Sequence, residues 1–394
     1  MSKALRDDFN ARWTPQKYEN FLMLLSERCG TTVGFRNSET PCFFDAEFLE
    51  RTAATGEILI RQLVESADYK AVSDAALPDR YKVPNESPAP MFVQVDFGVV
   101  RDADGNNHPR LVEIQGFPSL YAYQPELCQA YIDAYELDPR LRYFFSGLNR
   151  TEYVELLRRA IVGGHHPENV VLLELHPEQQ KTLCDFLVTE RLLGIRPVCI
   201  TKVKKEGNRL YYEEHGRSIP IHRIYNRTIV DELERKKVHP PFDWREDLAV
   251  EWAGHPNWYF RISKFSLPYL RHPSVPRTLF LDQVDQLPDD LENWVLKPLY
   301  SFAGLGVSIG PAKEEIDRIP VAERGRWVLQ ERVRFTPVIE TPHGLTQAEI
   351  RIMYIWTDRL RPVCNIIRMG RGKMMGVDHN KNMEWVGASA ALFY

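Results

Sequence analysis

No apolar run in this 394-residue sequence approaches the roughly 20 residues a membrane helix needs, so no membrane partner is expected. The N-terminus, MSKALRDDFNARW, has no apolar core of the kind that directs export. The six cysteines (Cys29, Cys42, Cys128, Cys184, Cys199 and Cys364) are scattered, without CxxC pairs or zinc spacing. In a chain of this size that pattern predicts reduced, buried thiols and a cytoplasmic setting. Charge of either sign is not in excess. Fifty Lys and Arg stand against 54 Asp and Glu, a net charge of −4, which argues against nucleic acid as the main partner. There is no internal repeat, no low-complexity tract and no Gly-Lys-Ser/Thr loop opening a helix.

What is present is the composition of a globular protein, 44% hydrophobic and 26% charged, with core enough for two or three domains or one large composite unit. Tyr18, Phe21, Leu22, Leu24 and Leu25 form one apolar cluster, and Phe44, Phe48, Leu49, Ile58, Leu59 and Leu63 recur near helical spacing. A proline-rich connector at 77–90 closes them, so 1–90 reads as a mainly helical N-terminal segment. Residues 91–100 and 110–115 read as hairpin arms around Asp102-Ala103-Asp104-Gly105, and 126–162 reads as helical, giving a second unit over 91–165. Over 166–275 strand, helix and strand alternate (VVLLEL, 178–193, PVCITKV, IPIHRIYNRTI), which predicts a parallel α/β sheet. Arg223 and Arg227 fall at a strand end, where such sheets bind ligands, although a surface charge pair reads equally from these residues. The last unit is 276–394.

Two stretches carry chemistry. In WVLKPLYSFAGLGVSIG (294–310), Lys297 ends an apolar strand and a small-residue loop with Ser301, Gly304 and Gly306 follows. Such a loop lets backbone N–H groups approach an anion, and the lysine would add charge; an ordinary glycine-turn hairpin is the alternative. In the 91–115 hairpin, Asp96 lies on one arm, and Glu113 and Gln115, two apart, leave the same face of the other. Clustered oxygens of this kind suit magnesium bound with phosphate, while a solvated outer face is the plainer reading.

Taken in order, Lys297-Pro298, the glycine loop, Gln330-Glu331-Arg332-Val333, Glu349-Ile350-Arg351 and Arg368 resemble the nucleotide-binding half of the ATP-grasp superfamily. The magnesium ligands usual after the last arginine are missing there, and the 91–115 hairpin far upstream resembles them. That order resembles a circularly permuted ATP-grasp protein of the glutathionylspermidine synthase type. The resemblance implies an α/β (α+β) fold with a parallel pre-grasp-like domain, with ATP and magnesium as cofactors. It implies phosphate contacts from Lys264 and Lys297 and from the Ser301, Gly304 and Gly306 loop, and adenine contacts from Gln330, Glu331 and Val333. Asp96, Glu113 and Gln115 would hold the metal; Arg351 and Arg368 would face the transferred phosphoryl group, with Arg227 on the substrate carboxylate. The implied activity joins a small-molecule or peptide carboxylate to an amine or thiol through an acyl-phosphate. A kinase or a non-catalytic nucleotide-binding protein on the same fold is the alternative. Gln115 stands where the family has asparagine, and Gly116-Phe117-Pro118-Ser119 departs from the family's next segment.

Overall fold

The computed structural model describes residues 2–301, 304–380 and 382–394. Its centre is an antiparallel sheet in the spatial order Gly387–Ser389, Leu360–Gly370, Gly344–Trp356, Phe92–Arg101, Asn107–Gln115, with Ile339–Thr341 folded back on the third strand. The predicted hairpin therefore forms, and its first strand pairs directly with Gly344–Trp356, which pairs in turn with Leu360–Gly370.

Alternation along these strands divides the sheet's residues between two faces. Val93, Val95, Phe97, Ile350, Ile352 and Tyr354 share one face and are buried in a common core with Leu49, Ala53, Leu59 and Ile60 of the helix Ala46–Val64. That helix approaches closely: the Tyr354 hydroxyl donates to the carbonyl of Ala53 at 2.7 Å. Phe92, Met353, Ile355, Cys364 and Ile366 occupy one end of the opposite face, in a core shared with the helices Tyr123–Ala134 and Arg150–Ile161. Its other end is charged.

Two further sheets flank this one. Arg196–Cys199, Val170–Glu174, Arg223–Asn226 and Glu251–Ala253 form the expected parallel sheet. Thr278–Phe280, Trp327–Glu331, Trp294–Pro298 and Ser308–Ile309 form an antiparallel one. The polar segment 204–221 is a three-stranded meander. The result is a mixed α/β architecture.

Some helices are shorter than their apolar spacing predicts. The 126–162 region breaks after Ala134, with Glu136 and Ser146 in left-handed backbone; Asn149 then restarts a helix at Arg150 through a capping box with Glu152. Residues 178–193 begin as a single turn at Pro177–Gln179, and the helix proper runs Leu183–Leu193. A parallel pairing of Cys42–Phe43 with Ala391–Leu392 was not anticipated, because two-residue strands carry no periodicity. All six cysteines are free and buried. Among the described residues no helix is long and apolar enough to cross a membrane.

A Cβ added at Gly56 would lie 2.1 Å from the Tyr354 hydroxyl oxygen. Alanine normally favours a helix interior over glycine, by about 1 kcal/mol. Here the clash should dominate: Gly56→Ala is expected to lower stability by about 1–3 kcal/mol in urea unfolding, and Gly56→Ala/Tyr354→Phe to recover part of that.

Candidate functional site

The charged end of the central sheet is assembled by register. Arg351 lies opposite Asp96, Glu349 opposite Arg368, and Asp96 opposite Glu113. All five side chains therefore leave one face. Asp96 is 1% exposed, and both its oxygens are engaged. Arg351 donates from Nε at 2.6 Å and from Nη2 at 2.7 Å in a bidentate clasp, its third nitrogen reaching Gln94 at 3.0 Å. Arg368 bonds the same carboxylate and also pairs with Glu349. Burial alone would raise the Asp96 pKa, but the Arg351 and Arg368 guanidiniums hold it below the usual carboxylate value. Glu349, buried with less compensation, is pushed up.

Lysines reach this cluster from the flanking lobe. The hairpin register shifts between Asp96 and Phe97, so Val112 has no cross-strand partner. The Lys297 ammonium donates to the Val112 carbonyl at 2.9 Å and to Gln330 Oε1 at 2.5 Å. Burial drives the Lys297 pKa down to about 8, with Glu113 the largest opposing influence. Lys264, on the turn Lys264–Tyr269, donates to the Ser301 carbonyl at 2.8 Å and lies 3.7 Å from Glu113. Gln330 Nε2 and Ser301 Oγ are buried without a hydrogen-bond partner among the described residues. Gly304 and Gly306 follow in left-handed backbone, φ 74° and 75°. Phe302 and Ala303 of the expected loop lie outside the described residues. Glu331 pairs through its backbone with Arg277, and Val333 lies directly over Gly98 of the first hairpin strand.

Arg227 is held elsewhere, at the C-terminal end of the parallel strand Arg223–Asn226. It is buried between the rings of Phe117 and Phe186, 4.0 Å from Asp185, with Nε and Nη1 lacking a hydrogen-bond partner among the described residues. Glu174 ends the neighbouring strand, and burial pushes its pKa up to about 8, with Arg227 opposing. Arg223 is spent on structure: it donates to the carbonyls of Ala160 and Ile161 at a helix end and pairs with Glu251. Sequence alone could not separate these two arginines, and it gave no reason to single out Glu174 or Asp185.

The donor set fits an anion better than the full expected metal shell. Lys264, Lys297, Arg351 and Arg368 face Asp96, Glu113 and Glu349, four cations against three carboxylates. Among the described residues no three His, Cys, Asp or Glu side chains are grouped as a metal site. Asp96, expected as the first magnesium ligand, is instead the counter-ion of two arginines. Glu113 and Gln115 keep the expected common face and are partly exposed. Magnesium held with phosphate commonly takes only one or two carboxylates, so the Glu113 carboxylate with the Gln115 amide oxygen beside it fits such a role.

Removing the Asp96 charge would leave two guanidiniums facing a neutral amide in a buried setting. Asp96→Asn is expected to cost about 3–5 kcal/mol in denaturant unfolding. Arg351→Met together with Asp96→Asn should cost less than the sum of the two single changes.

No family model matches this sequence, and no curated protein matches it. Among solved structures it is similar to a glutathione synthetase-like effector (GSS30) from Globodera pallida, in apo form. That match has a TM-score of 0.58 and 12% identity, and covers 98% of each chain. At that identity the likeness is one of fold.

Proposed function

We propose that this chain is an ATP-dependent ligase with a circularly permuted ATP-grasp arrangement. It would join a small-molecule or peptide carboxylate to an amine or thiol nucleophile. The observation that carries this reading is the cluster of four cations against three carboxylates where the flanking lobe meets the central sheet, beside a glycine loop and two buried polar atoms without a hydrogen-bond partner among the described residues. The fold shared with a glutathione synthetase-like protein is consistent with it.

In this reading Lys264 and Lys297 bind the α- and β-phosphates of ATP, and Ser301, Gly304 and Gly306 supply the covering loop. Gln330, Glu331 and Val333 edge the adenine. Magnesium, when bound, would neutralise charge on the phosphate oxygens, with Glu113 and Gln115 holding it. Arg351 and Arg368 stabilise charge developing on the γ-phosphoryl group as it passes to a carboxylate oxygen of the substrate and ADP leaves. The amine or thiol then attacks the acyl carbon, and inorganic phosphate departs. Asp96 keeps the two arginines charged, separated and aimed along the sheet face. Arg227, two of whose nitrogens have no hydrogen-bond partner among the described residues, orients the substrate carboxylate.

One observation favours a second reading, a nucleotide-binding protein without turnover: the Asp96 oxygens are both taken up by arginine. Release of ADP from ATP, screened over carboxylates crossed with amines and thiols, separates the two. Ligation predicts ADP release that requires both co-substrates and falls about 10²–10³-fold in Lys297→Ala and in Glu113→Ala. ADP binding with no release under any pairing would sink the ligase reading. Unchanged ATP binding and turnover in both variants would refute the site.

Lys297 also sets a pH dependence. Its value of about 8 lies below its ordinary 10.5, so the unfolded chain holds the proton more tightly. Unfolding takes up a proton between about pH 8 and 10.5, and this group's contribution makes stability rise with pH across that window. Anion binding goes the other way. Calorimetric affinity for ADP is expected to fall as pH rises through 8, and to stay flat in Lys297→Met.

A further inference from the structure

The hairpin that carries Asp96 and Glu113 has a second charged feature at its opposite end. A pocket of about 360 Å³ opens there between the hairpin turn, the helix Ala46–Val64 and residues 272–274. Its ionisable lining is Arg51, Arg101, Arg110, His108, His272 and a single carboxylate, Asp102. That carboxylate is committed: it accepts from the Asn106 N–H at 2.8 Å and lies 2.6 Å from His108 Nε2.

The three arginines are anchored by neutral acceptors. Arg51 donates to the Asn107 carbonyl at 3.2 Å, Arg101 to the Asn107 side chain at 3.2 Å, and Arg110 to the Pro273 carbonyl at 2.5 Å. Arg51 also approaches Glu47 at 3.4 Å, but that side chain is almost fully exposed and compensates little. Each guanidinium is thus oriented while its charge stays unspent. His272 adds a donor. Its Nδ1 accepts the Ser274 N–H at 3.1 Å, which places the ring proton on Nε2.

Three arginines over one aspartate leave an excess of two positive charges, close to the roughly −1.5 to −2 of a phosphate monoester at pH 7. A bare ion would not fill the space, and Val100, Pro109 and Pro273 offer apolar wall to an organic body. Arg101 stands five residues along the strand from Asp96, roughly 16 Å at the rise of a β-strand, so one phosphate cannot serve both places. We propose that this pocket binds a small phosphomonoester, at a site separate from the charge cluster and independent of the ligase reading.

Titration calorimetry of the full chain with phenyl phosphate, inorganic phosphate and benzoate tests this. Expected are one saturable phenyl phosphate site, weaker inorganic phosphate, and benzoate at least about tenfold weaker. Arg101→Ala and Arg110→Ala should each weaken phenyl phosphate about tenfold, while Lys297→Ala leaves it unchanged. Arg101 is exposed, so its variant decides the matter if Arg110→Ala does not fold. Absence of saturable phenyl phosphate binding overturns the proposal. So does benzoate binding as tightly, or binding that is lost in Lys297→Ala but kept in Arg101→Ala.

Discussion

The pairing of Asp96 with Arg351 is the constraint on which the rest of the site depends. A carboxylate buried to 1% would be driven to its neutral form, and a guanidinium taken from water with it would be as costly. Each is tolerable only because the other lies directly opposite across an antiparallel ladder, in bidentate geometry. A one-residue slip between the two strands would turn one of these charges to the apolar face covered by Ala46–Val64 and leave the other without its partner. The hairpin and the C-terminal strands are therefore locked in one alignment by electrostatics as well as by packing. Arg368 and Glu349 extend the same row by one strand.

The lysines depend on a different irregularity. A regular hairpin would consume every inward backbone carbonyl, and the register shift leaves Val112 over to meet the Lys297 ammonium. That bond, with Gln330, holds a charged lysine in a dry position where its affinity for a proton is weakened. Two sheets thus contribute to one charge cluster, while Arg227 lies at the C-terminal end of the third, against Asp185.

Much of the framework was legible in the sequence because it is written in local alternation. The FVQVDFGVV run places Gln94 and Asp96 on one face and valines on the other, and the Glu349-Ile350-Arg351 run does the same. The Lys297 strand and the parallel α/β unit were equally plain. What stayed hidden was non-local. Nothing near Asp96 reveals that its partner lies 255 residues later, so its carboxylate read as open to a metal. The same holds for Arg223 and Arg227: both sit in RIYNR, and only the helix end at Ala160 and Ile161 distinguishes the structural arginine from the one set against Asp185.

The alignment of Phe92–Arg101 beside Gly344–Trp356 also imposes a timetable on synthesis. At roughly 5–20 residues per second, a ribosome takes on the order of 10–50 s to make the chain between Asp96 and Arg351. Throughout that interval the first hairpin strand has an unpaired edge, rich in valine and phenylalanine, of the kind that recruits foreign strands. Until Arg351 is made, Asp96 stands on that strand as a carboxylate without its arginine, and a charged side chain on an unpaired strand is one of the features that disfavour edge-to-edge pairing.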